Sequence, residues 1–339
     1  MLEKRASVLA AQKERNILES GYHPKVDLST GSGIAYDKIT PYYRSTGTTV
    51  SRLDTTVSAS YNLFDGSYTK NSINAQTYAI YATHYQLKEL EAQIILRLAQ
   101  SYIALIKQKK ILQISTQNIE VHQKILDKLK EKVAQGFGSE SEVKFVLVKL
   151  KFAQIAHSAH ESIFIQTKND FETLYGDAID VDSLEEPHFE TALPKNLERA
   201  LELTKVFSPT LLIANFRRLS AKNHYQKSRS LYYPNVDLEV SQTWFDESGE
   251  SDYSVESRSA MLYVRYNLYN GFADKRALEK ELLHLKESEY YLDSVQRSTL
   301  LRLTSGWVSM VKFDEQLLLL EELKRYSQNT LDDYIDEFT

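Results

Sequence analysis

Tyr22-His23-Pro24-Lys25-Val26-Asp27-Leu28 and Tyr232-Tyr233-Pro234-Asn235-Val236-Asp237-Leu238 are two versions of one phrase, 232 − 22 = 210 positions apart. A second pair follows, Tyr61-Asn62-Leu63-Phe64-Asp65-Gly66 and Tyr266-Asn267-Leu268-Tyr269-Asn270-Gly271, 266 − 61 = 205 positions apart. Leu96-Arg97-Leu98 and Leu301-Arg302-Leu303 keep the 205 offset. A constant offset means one structural unit built twice, and it decides the architecture before any local reading does. The drop from 210 to 205 assigns a five-residue length change to the loop between the first two markers.

Each copy begins in helix-forming sequence, 2–20 in the first, which Gly21 and Pro24 stop. Alternation then takes over. Val26, Leu28, Ile34 and Tyr36 fall on one face, with Asp27, Ser29, Gly31 and Gly33 on the other. After a polar loop, 37–53, the residues Thr55, Val57, Ala59, Tyr61 and Leu63 alternate with Thr56, Ser58, Ser60 and Asn62. The second copy sets Val236, Leu238, Val240 and Trp244 against Asp237, Glu239, Ser241 and Thr243. Beyond an acidic loop, 246–257, it sets Ala260, Leu262, Val264, Tyr266 and Leu268 against Met261, Tyr263, Arg265 and Asn267. The strands expected are about 25–36, 54–64, 234–245 and 258–269. Ten to twelve residues matches the ~9–11 that a tilted strand needs to cross a bilayer. One apolar and one polar face is the pattern of a membrane barrel with a wet lumen. A water-soluble hairpin with one face on a core would show the same alternation.

The helices favour the first reading. From Ser67 to Gln135 there is neither Pro nor Gly, and Leu98, Leu105, Leu112, Ile119, Leu126 and Val133 recur every seven residues. The second copy repeats this with Leu303, Met310, Leu317, Lys324, Leu331 and Phe338. A strict heptad imposes supercoiling on packed helices. A helix of about 70 residues at about 1.5 Å each is about 105 Å long, more than a compact domain needs. Gly136-Phe137-Gly138-Ser139 turns the chain, with Ser139 and Glu142 spaced as a capping box. A return helix over about 139–174 follows, its seam formed by Val143, Val146, Leu150, Ala153, His157, His160, Phe164, Phe171 and Leu174. The organisation expected is a first repeat over 1–175, an inter-repeat segment over 176–208 with a short helix at 195–206, and a second repeat over 209–339. Its long helix begins near 271.

Composition removes other classes. A net charge of −5 and a pI near 6.0 argue against a nucleic-acid protein. With Cys 0, disulfides and thiolate metal sites are excluded. No apolar run of 18 residues is long enough for a membrane-spanning helix, and no signal peptide pattern opens the chain. Under the 205 offset the counterpart of Gly136 would be residue 341, so a fragment is expected, lacking the start of the first helix and the last helix.

A strand hairpin feeding a very long helix, twice per chain, resembles the TolC family of outer-membrane channels. The resemblance rests on Gly21 to Pro24 and Leu231 to Pro234 before the strands, and on Asn62 to Gly66 and Asn267 to Gly271 after them. It also rests on Leu193-Pro194-Lys195-Asn196-Leu197 running to Leu211, and on the turn from Gly136 to Val143. It implies a mainly α protomer giving four strands to a twelve-stranded barrel shared by a homotrimer in the Gram-negative outer membrane, with helices reaching into the periplasm. It implies a passive conduit gated at the periplasmic helix tips, working in a tripartite efflux pump or type I secretion system. Its partners would be a periplasmic adaptor and, through it, an inner-membrane pump or ABC transporter. Physics agrees that four strands cannot close a barrel alone. The rival readings are a periplasmic adaptor, which would need a Gly-rich lipoyl-like domain not seen here, and a soluble coiled-coil scaffold, which would need no paired amphipathic hairpins.

No catalytic constellation is present, so no enzyme, cofactor or metal is expected. His157 and His160 share a helix face at i and i+3, but on the apolar seam, where structural histidines are the commoner case. Gly136, Phe137, Gly138, Ser139 and Glu142 resemble the surface that adaptors grip; simple turn chemistry would also explain them. Asp332, Asp333, Asp336 and Glu337 could line an acidic pore entrance or be a solvated helix face. Asp27, Asp237, Glu239 and Arg265 lie on polar strand faces, and would line the lumen of a barrel or face water outside one.

Overall fold

The computed structural model describes residues 1–39, 46–188, 193–249 and 252–337. In chain order the elements are α1 (Leu2–Glu19), β1 (Lys25–Ile39), β2 (Thr46–Phe64), α2 (Tyr68–Ala134), α3 (Glu140–Tyr175), α4 (Leu197–Phe207), α5 (Pro209–Ser228), β3 (Asn235–Ser248), β4 (Tyr253–Arg265) and α6 (Ala273–Glu337). The four strands form one antiparallel sheet in the order β1-β2-β3-β4.

The duplication is written into the ladder. Val26 pairs with Ala59, and moving these by 210 and 205 gives Val236 and Val264, which pair as well. Short 3-10 turns, Ser20–Tyr22 and Arg229–Tyr232, precede β1 and β3. In both, a serine hydroxyl donates back three residues, Ser20 Oγ to Ile17 O and Ser230 Oγ to Lys227 O, each 2.6 Å. The strand-to-helix turns are also one device used twice. Gly66 and Ser67 take φ of 63° and 69°, and Gly271 and Phe272 take 68° and 66°. Glycine accepts this left-handed backbone freely, whereas Ser67 and Phe272 hold it at a cost. Helix α2 is then capped by Asp65, whose Oδ2 accepts from Thr69 N at 2.7 Å.

The strand limits differ from the sequence reading in two ways. The segments 37–53 and 246–257, read as loops, are largely strand: β1 runs to Ile39, β2 starts at Thr46, β3 runs to Ser248 and β4 starts at Tyr253. Polar cross-strand partners extend the ladder there without any apolar alternation, as with Arg52 Nε donating to Glu247 Oε2 at 2.8 Å. Conversely, β4 ends at Arg265 rather than 269. Arg265 pairs with Asn235, so the next partner would be Pro234, which has no N–H to give.

The chain divides into two compact units, Met1–Lys88 with Pro194–Thr339, and Glu89–Leu193. This spatial division cuts across the sequence repeat. In the first unit, α5 packs on α6 and also meets the start of α2. Leu211, Ile213 and Ala214 are buried there, Ser220 Oγ donates to Ala75 O at 2.9 Å, and Phe216 is enclosed by Tyr78, Tyr81 and Tyr85. In the second unit the heptad residues Leu105 and Leu126 of α2 are buried, as are the seam residues Leu150, Ala153 and Phe171 of α3. Ser115 Oγ and His157 Nδ1 are hydrogen-bonded at 2.9 Å, which accounts for that histidine structurally. The segment after α3 is strapped to α2 by Tyr102 Oη donating to Glu185 O, 2.8 Å, and by Lys109 Nζ donating to Val181 O, 2.8 Å. Lys110 pairs with Glu186 at 2.6 Å and holds that carboxyl below its usual range.

Candidate functional site

Because side chains alternate across a strand and opposed residues share a face, the three registers assign every sheet position to one of two faces. One face carries Val26, Leu28, Val57, Ala59, Tyr61, Val236, Leu238, Val240, Leu262 and Val264, an apolar band over the helix-proximal part of the sheet, and farther out on β3 and β4 it carries Gln242, Glu256 and Arg258, with Gln242 Nε2 and Arg258 Nη2 each donating to Glu256 Oε1 at 2.7 Å. Val26, Leu28, Val240, Leu262 and Val264 of this band are all solvent-exposed in the single chain. The other face carries Asp27, Asp54, Asp237, Glu239 and Glu247, with Lys25, Arg52 and Arg265 as the described cations. Serines and threonines fill the space between, with Thr56 and Thr243 hydroxyls 3.0 Å apart and Ser241 and Ser259 2.9 Å apart.

Two charged clusters mark the ends of this polar face. At the helix end, Arg265 Nη1 donates to Asp237 Oδ2 at 2.7 Å and Nη2 to Glu239 Oε1 at 2.9 Å. Asn62 Nδ2 donates to Asp237 Oδ1 at 2.8 Å and also to Asn235 Oδ1. Arg265 lies 4.9 Å over the Tyr263 ring. The guanidinium thus bridges two carboxylates that would otherwise repel. At the far end, Arg52 meets Glu247 and lies 5.8 Å over the Phe245 ring, with Tyr253 edge-on to Phe245. Just outside the strands, partial burial and then the Asp65 carboxylate raise the Tyr22 hydroxyl above the usual tyrosine range.

Of the residues singled out from sequence, Asp237, Glu239 and Arg265 are thus brought into one cluster. Asp27 shares their face on β1, opposite Ser58 and two strands away from β3. Asn62, Asn235, Arg52 and Glu247 were not singled out. Their signal was the alternation itself, which placed Asn62 on the polar face without naming its partner.

The turn at 136–142 is built as a cap. Gly136 and Gly138 take φ of 84° and 149°. Ser139 Oγ accepts from Ser141 N at 3.1 Å, and Glu142 Oε2 accepts from Ser139 N at 3.2 Å. Glu142 is therefore occupied by the local cap. Phe137, at 76% exposure, is the projecting side chain. Asp332 and Asp333 are exposed near the end of α6, and Asp332 Oδ1 accepts from Gln328 Nε2 at 3.0 Å. Asp336 and Glu337 lie in the last turn of that helix, but their side chains are outside the described residues, as are Phe338 and Thr339. Among the described residues, no group of three or more His, Cys, Asp or Glu is placed to hold a metal ion, and no helix is long and apolar enough to cross a membrane.

Residues 1–176 match the sequence profile of a family described as outer membrane efflux protein. No curated protein matches the chain. Among solved structures, CusC superposes with a TM-score of 0.81 at 12% identity, over 93% of this chain and 73% of its own. VceC from Vibrio cholerae gives 0.67 at 16% identity, over 89% and 72%. The CmeC outer membrane channel of Campylobacter jejuni gives 0.66 at 13%, over 87% and 64%.

Proposed function

We propose a specific task for this chain, which belongs to the outer membrane efflux protein family and so resides in the outer membrane of a Gram-negative cell, extending into the periplasm. It serves as the passive outer conduit of a tripartite efflux pump or type I secretion system. Three copies close a twelve-stranded barrel whose wall is the four-stranded sheet.

The observation that carries this reading is the sheet's division into an exposed apolar face and a polar face, together with two unpaired edges, β1 and β4. An exposed apolar band of this kind needs lipid or a partner to cover it. An open edge in lipid leaves backbone groups unpaired at several kcal/mol each, so the strands must close with other copies. The polar face then lines the lumen, with Asp27, Asp237, Glu239 and Arg265 in its wall. Exposed leucines of α6, Leu317, Leu318, Leu319 and Leu320, offer the surface on which further helices of the assembly pack.

The tip at Gly136–Ser139, with Phe137 projecting, is the surface for a periplasmic adaptor, which couples the conduit to an inner-membrane pump or ABC transporter. Asp332, Asp333, Asp336 and Glu337 contribute to an acidic periplasmic entrance, and the conduit opens by a shift between two packings of its helices. None of this asks the protein to make or break a covalent bond.

Native mass spectrometry in detergent tests the reading. Three copies per particle, with precipitation on detergent removal, are expected. A monomer or dimer that stays in solution without detergent would overturn it.

A further inference from the structure

Helices α4, α5 and α6 frame a cavity of about 290 Å³ that lies wholly within one compact unit of the chain. Its apolar wall includes Leu212 of α5 with Leu292 and Leu300 of α6, and its polar groups are Lys205 of α4, Asn215 of α5 and Gln296 of α6. Helical spacing explains the convergence. Residues 292, 296, 299 and 300 share one face of α6, and 212 and 215 share one face of α5. That face of α6 therefore includes Thr299, which is 8% exposed and whose Oγ1 has no hydrogen-bond partner. A buried hydroxyl left unpaired is costly, and native proteins keep few of them without an occupant to satisfy them.

The charge around the cavity is as uneven as the packing. Helix α5 carries Arg217, Arg218, Lys222 and Lys227 and no carboxylate. Arg218 Nη2 donates to Asn215 Oδ1 at 3.2 Å, which sets its guanidinium beside a lining residue. Among the described residues neither Arg218 nor Lys205 has a carboxylate partner. The carboxylates next to the lining residues in sequence are already taken, Glu202 of α4 by Arg199 at 2.8 Å and Asp293 of α6 by Arg297 at 2.9 Å. Two cations thus stand at an apolar cavity to which the chain supplies no anion of its own.

We infer that this cavity binds a small amphiphilic carboxylate, its acid group held by Lys205 and Arg218 and its short hydrocarbon chain laid against the leucines. A bare inorganic anion would leave the apolar wall unmatched, and a neutral hydrocarbon would leave the two cations and the Thr299 hydroxyl unmatched. The volume stands at the small end of the range for ligand sites, about 300–1,000 Å³, so a long acyl chain does not fit. Roughly 24 Å of helix separates Leu212 from the sheet end of α5, so the ligand arrives from water and not from the bilayer. The site is complete within one chain and does not depend on how the barrel closes.

Photolabelling tests the site. The protein is reconstituted in phosphatidylcholine nanodiscs, so that no detergent competes, and irradiated with an octanoate analogue carrying a diazirine on its chain. Peptide mass spectrometry is expected to place the adducts within 205–215 and 292–300. Unlabelled octanoate should compete about tenfold better than octanol, which has the chain without the charge. Lys205→Gln should cut the adduct yield about tenfold, the loss of one charged hydrogen bond. Leu292→Trp should abolish the adducts by filling the cavity, with an unchanged native mass showing that the variant still folds and assembles. Arg217→Gln, whose side chain does not line the cavity, should leave the yield as it is. Equal competition by octanol, an undiminished yield in Lys205→Gln, or adducts spread over the exposed leucines of α6 would overturn the site. So would the absence of adducts in both segments, which would show that water or another part of the assembly fills the cavity. None of these outcomes bears on the conduit reading, which the native mass decides separately.

Discussion

Helices α1 and α5 hold the same place in the duplicated unit, yet α1 carries no buried residue and α5 carries five: Leu211, Ile213, Ala214, Ser220 and Ser228. At the 210 offset Ile213 answers to Glu3, Ala214 to Lys4 and Ser220 to Ala10. The backbone was copied and the environment was not. Helix α5 has α6 on one flank and the start of α2 on another, whereas α1 touches α2 through contacts such as Gln76 Nε2 donating to Ala11 O at 3.0 Å. In the closed ring proposed above, α1 would gain its second flank from a neighbouring copy. The charged residues at its buried-equivalent positions suit a looser, wetter seat than the one α5 occupies.

The largest test of this contrast is truncation at matched positions. Ile213→Ala leaves a cavity in a site only 6% exposed and is expected to cost about 2–5 kcal/mol. Glu3→Ala should stay within about 0.5 kcal/mol. Denaturant unfolding in detergent, followed by helical circular dichroism, measures both. Equal losses would break the comparison by showing that α1 is as tightly seated as α5.

A second, smaller contrast lies in the strand-to-helix turns. At Gly66 an added Cβ would lie 2.8 Å from Tyr233 Cβ and 3.0 Å from Ser230 O, while at Gly271 it meets nothing within 4 Å. Both share a positive φ, so Gly271→Ala should carry the conformational cost alone, about 1 kcal/mol. Gly66→Ala adds a backbone clash and should cost about 2–3 kcal/mol. The same unfolding measurement separates them, and indistinguishable midpoints would show that the first turn yields freely.

These matched pairs also show what the sequence could and could not convey. The offsets of 210 and 205 already contained the hairpin register: once Val26↔Ala59 is known, Val236↔Val264 follows. The heptads marked Leu105 and Leu126, and the seam marked Leu150 and Phe171, because burial on a helix follows a period that sequence displays directly. The Ser139–Glu142 cap was legible for the same reason, being local. The ends of the strands were not, since Arg52–Glu247 joins residues nearly two hundred positions apart with no apolar alternation to announce them. The polar cluster was half legible: alternation put Asp237, Glu239 and Arg265 on one face, but their contact depends on how β3 and β4 align. Asn62 required the β2–β3 register, which no local pattern encodes.

The last contrast is one of charge. His224 on α5 answers to Glu14 on α1. Partial desolvation, then the Lys227 ammonium, lower the His224 pKa below 6.5, with Glu281 of α6 opposing. A histidine whose folded pKa is depressed binds its proton more readily in the unfolded chain. Its contribution is therefore complete above pH 6.5 and is lost as pH falls from 6.5 towards the folded value. The side chain keeps an exposed edge, so solvent damps the effect and makes it the smallest of the set. His224→Gln should flatten the slope of unfolding midpoint against pH between 7 and 5, while Glu14→Gln should leave that slope in place. An unchanged slope in His224→Gln would show that the surroundings of His224 on α5 do not discriminate between its two protonation states.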